Sequence, residues 1–353
     1  MLDMRKLLLV VLLLVCCVGD AAAQVETRSV RERVRERRVQ MRQRADSIID
    51  AHRKVTTDTA YVARPVQPLT LRFKTDGFGN EFEIRGNVPE RSIDMLTMIR
   101  ADMKCTLGVT ANYRGISVAL SLNPDKLLRR TSNTEYNVNY YNNRYGADLT
   151  YSDIHDFSAN TVLNGVRHSY DMTDTHLWGL SANVYYVFNS KRFSYPAVFN
   201  HSWIQKRSAG SLLVAASFYR ADLKSDFKGS QEVFAGGKEM DMTHVSVGVG
   251  YGYNYVAGKH WLLHLSAQPS IMVWKNYTLS FVPDELTGET VKAKLPARFP
   301  EVYVLGRVGA TYNWDKYFVG MTGVVQTSKV GRDYDFSLRN TLWKGRAYFG
   351  IRL

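Results

Sequence analysis

The chain of 353 residues carries 46 Lys and Arg against 33 Asp and Glu, a formal net charge of +13, and it contains 21 tyrosines and 25 glycines. This load of tyrosine and glycine favours a β-rich protein over a helical one. The positive balance does not predict nucleic-acid binding. The densest run of arginines lies near the N-terminus, mixed with acidic residues, and no known nucleic-acid module follows it.

Residues 1–23 are predicted to be a secretory signal peptide. Arg5 and Lys6 precede the apolar run Leu7–Val18, and Ala21–Ala23 supplies small residues for cleavage. The apolar run is short for a membrane-spanning helix, and no other stretch of the chain approaches the required length of about 18 residues. If the mature protein enters a membrane, we therefore expect it to do so as a β-barrel.

Residues 24–57 are predicted to form a basic periplasmic helical segment. A thin apolar stripe recurs there at three- and four-residue steps, and it comprises Val30, Val34, Met41, Ala45 and Ile48. Such a helix could contact anionic lipid or a partner. A solvated periplasmic helix explains the charge mosaic equally simply, and we favour it. Pro65 and Pro68 end any helix before the next region.

Residues 58–353 alternate between apolar and polar side chains. Clear examples are Met103, Cys105, Leu107, Val109, Ala111 and Tyr113, and then Val245, Val247, Val249, Tyr251, Tyr253 and Tyr255. The runs last about ten residues, which matches the nine to eleven of a tilted membrane-crossing strand and exceeds the usual globular strand. One face is apolar and aromatic and the other polar. This pattern predicts an all-β, antiparallel transmembrane β-barrel.

The predicted barrel has about 12 strands, with 10 or 14 as alternatives. Long polar connections near residues 223–241 and 279–298 alternate with short turns near residues 257–259 and Asp315. Before residue 223 the alternation of long and short connections fails, because Asp153–Thr173 is predicted to be a long connection where a short turn is expected. A soluble β-protein with one wet face would also alternate. The run lengths, the signal peptide and the aromatic face argue against it.

Several segments resemble a protein family of Bacteroides-type bacteria that is catalogued as domain of unknown function 4421. These segments are Asp58–Val62, Tyr185–Asn189, Phe193–Tyr195 and Gln205–Ser211. The resemblance extends from about Asp58 to the C-terminus and is most specific between Tyr185 and Ser211. It implies an outer-membrane barrel with no assigned activity, and it transfers no catalytic residue.

The inner face of the predicted barrel carries a mostly positive set of side chains. The candidates are Lys104, Arg144, Asp148, His264, Arg307, Lys344, Arg346 and Arg352. A positive lumen could favour anionic solutes. Alternatively, these residues could form internal ion pairs that fill a small barrel, and we slightly favour this second interpretation.

No catalytic, cofactor-binding or metal-binding residue is predicted. His201 and Ser202 are neighbours in sequence and would point to opposite faces of a strand. His260 and His264 would share a face at a distance of about 13 Å, too far to bind one ion. Ser208 and Ser211 read as turn and strand-start residues.

The sequence therefore predicts an outer-membrane β-barrel with a structural, transport or envelope-related role. Its expected partners are outer-membrane lipids and the barrel-assembly machinery, without nucleic acid and without a cofactor. Two alternatives remain open. The first is a lipid-active barrel enzyme, a hydrolase or an acyltransferase, although an enzyme is disfavoured. The second is a soluble periplasmic β-protein that binds a partner.

Overall fold

The computed structural model describes residues 39–40, 57–88, 93–113, 116–124, 134–225, 237–281, 291–295, 299–332 and 336–353. The chain divides into two compact units, Met1–Thr56 and Thr57–Leu353. The predicted signal peptide lies outside the described residues, as does most of the predicted basic segment, in which Val39 and Gln40 are helical and exposed. None of the described helices has the length and hydropathy of a membrane span.

The second unit is built almost wholly of strands. In chain order they are β1 (Val62–Ala63), β2 (Leu69–Val88), β3 (Ile93–Ala101), β4 (Lys104–Tyr113), β5 (Ile116–Leu122), β6 (Thr134–Tyr141), β7 (Tyr145–Leu163), β8 (Val166–Val187), the helical turn α1 (Pro196–Phe199), β9 (Ile204–Gln205), β10 (Ala209–Ser225), β11 (Gly237–Ala257), β12 (Trp261–Phe281), β13 (Val291–Lys294), β14 (Val302–Trp314), β15 (Tyr317–Arg332) and β16 (Phe336–Arg352).

The long strands close into an antiparallel barrel. The hydrogen-bonded order is β16-β15-β14-β12-β11-β10-β8-β7-β3-β2, and β16 pairs in turn with β2 from Phe336↔Gly86 to Arg352↔Thr70. The β16–β2 ladder closes these ten strands into a ring, whereas the described residues show no ladder between β5 and β6, which extend the wall near the start of β2. The prediction of an antiparallel β-barrel is confirmed.

One sector of the wall contains an extra hairpin. β3 pairs with the later part of β2 and β4 with its earlier part, so β3 and β4 succeed each other along one edge. Near the start of β2, β5 and β6 are added between β4 and β7. Among the described residues, the wall thus counts ten strands at one end and twelve at the other, within the range expected from the sequence.

The prediction of a long connection at Asp153–Thr173 is wrong. These residues belong to β7 and β8, which meet in a tight turn at Asn164 and Gly165, both with positive φ. The long connection instead follows β8 and comprises residues 188–208. The alternation was hard to follow in this hairpin because its outward residues, including Asp153 and His155, are no longer apolar.

Partway along the strands, the apolar side chains change from the outer face to the inner face. In β10 the outward residues are Leu212, Val214, Ala216 and Phe218, followed by Arg220, Asp222 and Lys224, while the inward residues change from Ser211 and Ser217 to Tyr219 and Leu223. We call the end that holds Leu69, Leu353 and the first part of β10 the lower half, and the other end the upper half. The lower half has an apolar outer band about ten residues long, the length that spans a bilayer.

The upper half is packed inside like a soluble protein. A single cluster of buried side chains fills it: Phe82, Ile84, Met95, Ile99, Ile154, Phe157, Ala159, Met172, Leu177, Tyr219, Ala221, Leu223, Met240, Met242, Met272, Tyr277, Tyr303, Leu305, Val330 and Leu338. Its outer surface carries ion pairs such as Arg100–Glu81 at 2.6 Å and Lys224–Glu239 at 2.8 Å. Apart from the connection 188–208, the turns at the lower end are short, which indicates that the upper half faces outside the cell.

Candidate functional site: the closed lumen and its plug

The lumen of the lower half is crossed by a buried ion pair. Arg307 on β14 donates from Nη2 to Asp148 Oδ2 on β7 at 2.6 Å and from Nη1 to Gln268 Oε1 at 2.9 Å. Four strands separate β14 from β7 in one direction around the wall and six in the other at this level, so this pair joins opposite walls. Tyr141 also donates to Asp148. These charge-assisted contacts therefore tie opposite walls together at this level.

A second group of ion pairs lies on the adjoining wall. Arg346 donates to Asp76 from both Nε and Nη2, and Lys74 also contacts the Asp76 carboxylate. Lys344 pairs with Glu135. We refer to these residues together with Arg307 and Asp148 as the charged layer. The three acidic members offset most of the charge of the four basic ones, which agrees with the filled interpretation.

Two further hydrogen bonds cross the barrel. Asn340 Nδ2 donates to the Tyr219 hydroxyl at 2.7 Å, and Ser181 Oγ donates to Gln326 Oε1 at 3.3 Å. Four strands separate the first pair in either direction around the ring, and β10, β11, β12 and β14 separate the second pair in the shorter direction. The side chains of opposite walls therefore meet at several levels, and the interior is filled rather than open.

Most of the predicted lumen residues lie on the inner face: Asp148, His264, Arg307, Lys344, Arg346 and Arg352. Arg144 does not. It is exposed in the turn between β6 and β7, because β7 begins at Tyr145, one residue later than the alternation suggested. The side chain of Lys104 lies outside the described part of the structure. Asp76 and Glu135 were missed, although Arg72, Lys74 and Asp76 share one strand face in the sequence.

The connection between β8 and β10, residues 188–208, folds into the lower end of the lumen, and we call it the plug. Phe193, Tyr195 and all four residues of α1 are buried. The barrel wall makes room for them with glycine. A Cβ at Gly309 would lie 2.5 Å from Val198, and one at Gly252 would lie 3.0 Å from Phe193. The plug is thus fitted closely to the wall.

The plug is held by hydrogen bonds at both ends. Its strand β9 pairs with β1, as Val62↔Gln205 and Ala63↔Ile204. Gln205 Oε1 accepts from the Ser194 amide and from Asn254 Nδ2, each at 3.0 Å. Arg72 on the wall donates to the Phe199 carbonyl at 2.8 Å. The segments on which the family resemblance rests therefore meet in this one structure.

The plug also contacts the charged layer. The Tyr195 ring lies 5.0 Å from the Tyr185 ring, and the Arg307 guanidinium lies 5.7 Å from Tyr195. Burial raises the pKa of Tyr195, so its hydroxyl remains protonated. The plug and the ion pairs above it form one packed body.

His201 occupies a strained position in the plug. Its φ is 59°, a value that residues other than glycine rarely adopt, and its ring lies 4.2 Å from Phe318 and 4.8 Å from Tyr348. Neither ring nitrogen has a hydrogen-bond partner among the described residues. Burial, reinforced by the positive charges of Arg72 and Arg352, lowers the pKa of His201 well below its usual value. The imidazole is therefore neutral at physiological pH.

On the wall against the plug, three side chains form a hydrogen-bonded relay. His264 Nδ1 donates to Asn254 Oδ1 at 2.7 Å, and the Ser266 hydroxyl lies 3.0 Å from His264 Nε2, to which it donates. This is the order of nucleophile, base and orienting group found in hydrolases. The relay was missed because Asn254 comes from the neighbouring strand, although the His264 and Ser266 spacing was visible in the sequence.

The other serines and histidines considered in the sequence lie elsewhere. Ser202 Oγ donates to Asn200 Oδ1 at 2.7 Å. Ser208 Oγ accepts from the Val256 amide at 2.9 Å. His260 lies exposed in the turn before β12, 2.7 Å from the Asn313 carbonyl, and so does not share the lumen with His264.

An apolar groove lies on the outside of the lower half. It has a volume of about 1170 Å³ and is lined by residues of β2, β4, β5, β12 and β14–β16, including Phe73, Leu107, Met321 and Phe349. These side chains belong to the exposed apolar band. The groove therefore opens toward lipid and is separate from the lumen.

The structure resembles solved β-barrel chains at low sequence identity. The outer membrane protease OmpT from Escherichia coli matches with 8% identity, 81% of this chain, 96% of that chain and a TM-score of 0.43. The translocator domain of the autotransporter NalP from Neisseria meningitidis matches with 11% identity, 89% and 96% coverage and a TM-score of 0.31. The outer membrane protein OprG from Pseudomonas aeruginosa matches with 10% identity, 81% and 96% coverage and a TM-score of 0.24.

No curated protein matches the chain. The closed antiparallel sheet and its lipid-facing apolar band make the protein an outer-membrane β-barrel. A family model described as "Domain of unknown function (DUF4421)" matches residues 56–352, and the chain belongs to this family.

Proposed function

We propose that the protein serves the cell envelope as a closed barrel with a structural or surface-presenting role, and not as a constitutive pore. The observation that carries this proposal is the continuous filling of the interior. The plug occupies the lower end, the charged layer crosses the middle, and the apolar cluster fills the upper half. A diffusion pore would require a wet inner face along its whole length.

The two closures are independent of each other. The plug is a connection that could in principle leave the lumen without unpairing the ring, since β8 and β10 pair directly with each other above it. The apolar cluster is made by the strands themselves and cannot leave. Removal of the plug alone is therefore expected to leave the barrel closed.

Single-channel recording in planar bilayers tests this proposal. We expect no steady conductance from the full chain, and none from a variant in which residues 190–206 are replaced by a short Gly-Ser linker. Heat-modifiable gel mobility checks that each protein is folded. The variant Tyr195→Ala, which keeps the plug backbone, provides a second test should the deletion fail to fold. Steady conductance of the full chain would refute the closed-barrel role. Conductance of the deletion alone would support plug-gated transport instead.

The relay of Ser266, His264 and Asn254 favours a second candidate, a lipid-active hydrolase that is inactive in the closed state. The rings of Phe193, Tyr195 and Phe199 lie between 5.1 and 6.1 Å from the His264 ring and cover it. Substrate would reach Ser266 only after the plug moved. An exposed nucleophile and a substrate path are required for acyl transfer, so this candidate depends on an open state.

A fluorophosphonate probe distinguishes the two candidates. In a hydrolase, Ser266 Oγ would attack the phosphorus, its proton would pass to His264 Nε2, and fluoride would leave. The closed-barrel proposal predicts no labelling of the full chain or of the plug deletion. Labelling that is lost in Ser266→Ala, but kept in the matched variant Ser270→Ala on the same strand face, would establish the hydrolase.

A further inference from the structure

The outer surface of the upper half holds three side chains arranged as metal ligands. His155 and Asp153 lie on β7 and His176 on β8. His176 Nε2 lies 2.7 Å from Asp153 Oδ1, and His155 Nε2 lies 3.2 Å from the same oxygen. The ligand atoms of all three residues lie within 4.8 Å of one another. This group was not apparent in the sequence, where the two histidines are 21 positions apart.

The strand geometry explains why these three side chains converge. Residues two apart on a strand point to the same face, which brings Asp153 and His155 to the outer surface together. His176 is the direct partner of His155 in the β7–β8 ladder, and residues so paired have neighbouring side chains. A bulge immediately after His155 bends the strand there. The result is a three-sided group with its open side facing outward.

We propose that Asp153, His155 and His176 bind a divalent transition-metal ion, with Zn²⁺ as the best match. Two imidazoles and one carboxylate form a donor set that Zn²⁺ uses in sites with an open fourth position. A tetrahedral site with bonds of about 2.0–2.1 Å holds its ligand atoms about 3.3 Å apart, close to the two contacts with Asp153 Oδ1. The two histidine rings stack at 4.5 Å and would separate slightly on binding.

The site is accessible from outside the cell. The side chains of Asp153, His155 and His176 are 33%, 36% and 41% exposed. Trp178 is the ladder partner of Asp153 and packs edge-on against Tyr151, at the upper border of the apolar band. The ion would therefore bind just above the lipid surface and join β7 to β8. This site does not involve the plug, so its test is independent of the closed-barrel proposal.

Titration of the refolded full chain with Zn²⁺ tests the site, with calorimetry as the first measurement. We expect one ion per chain with a micromolar dissociation constant. His155→Gln, His176→Gln and Asp153→Asn should each weaken binding at least tenfold. The matched control His168→Gln, an exposed histidine of the same strand β8, should bind as tightly as the unsubstituted chain. Ca²⁺ should not compete, because it prefers oxygen ligands.

Tryptophan fluorescence locates the ion. Cu²⁺, which histidine sites bind more tightly than Zn²⁺, should quench part of the emission of the six tryptophans. A large excess of Zn²⁺ should reverse the quenching by mass action, and Trp178→Phe should remove most of it. The proposal is refuted if the unsubstituted chain binds no Zn²⁺ below about 1 mM, or if the double variant His155→Gln/His176→Gln binds as tightly as the unsubstituted chain. Quenching that persists in Trp178→Phe would place the ion elsewhere and also refute it.

Discussion

The lower and upper halves of the barrel are built from the same strands but place their apolar and polar side chains on opposite faces. In the lower half, β11 turns Val247 and Val249 outward and Asn254 inward; in the upper half it turns Glu239 and Asp241 outward and Met240 inward. The change falls where the surrounding solvent changes from lipid to water. The same backbone pattern therefore serves two environments, and each half places its apolar side chains where water is absent.

The two halves also close the interior by different physical means. The lower half relies on ion pairs and on a plug, whereas the upper half relies on apolar packing. Buried charges demand complete pairing, because an unpaired charge in a low-dielectric interior is costly. Apolar packing is less specific but cannot be removed without unfolding the strands. The plug is therefore a connection that adds to the strands of the ring, whereas the upper cluster is made by those strands themselves.

The largest expected effect separates the inner ion pairs from the outer ones. Arg307→Met should lower the free energy of unfolding by about 3–5 kcal/mol, because it leaves Asp148 buried without its cationic partner. Arg339→Met removes the exposed contact with Glu83, 3.1 Å long on the outer surface of the upper half, and should cost at most about 1 kcal/mol. Denaturant titration of the refolded barrel, followed by gel mobility, measures both.

The double variant Arg307→Met/Asp148→Leu sharpens this comparison. It removes both charges and should recover much of the lost stability. If the single and double variants were equally unstable, the cost would lie in packing and not in the unpaired charge.

A smaller expected loss of stability tests where along the strands the lipid-facing surface ends. Val249→Arg places a charge on the outer face of the lower half and should cost about 2–4 kcal/mol if that position lies near the middle of the bilayer. Thr243→Arg, on the same face of the same strand in the upper half, should change stability little. Unfolding in lipid vesicles provides the measurement. Equal costs at the two positions would contradict the assignment of the lower half to the membrane.

The smallest expected effect concerns pH and the plug. The unfolded chain protonates His201 below a pKa of about 6.5, whereas the folded protein keeps it neutral, since its pKa is lowered well below that value. The free energy of unfolding is therefore highest above pH 6.5 and decreases as the pH falls below that value, because the unfolded chain then gains a proton at His201 that the folded protein does not. At pH 5.5 the loss from this one residue should be about 1.4 kcal/mol.

Comparison with His201→Phe isolates this contribution, because other histidines are common to both proteins. The substituted protein should lose less stability than the unsubstituted one between pH 7.5 and 5.5. Identical pH profiles would mean that His201 is not held neutral in the plug.

The sequence predicted the lower half better than the upper half. Runs such as Val245–Tyr255 show their period plainly because lipid requires an unbroken apolar face. The hairpin of β7 and β8 was misread at Asp153–Thr173 because its outer face is charged in water, so that the alternation is carried only by the buried residues. The acidic partners Asp76 and Glu135 were also missed, since pairing across a lumen depends on which walls face each other.

By itself, the sequence determined that the chain alternates over lengths suited to crossing a membrane, and hence that it forms an antiparallel barrel. Period and run length are local properties, fixed by the strand and by the solvent outside it. Only the tertiary structure decided that residues 188–208 fill the lumen, that Arg307 meets Asp148 and that His155 meets His176. Those contacts join residues far apart in the chain, and they exist only once the sheet has closed and set its register.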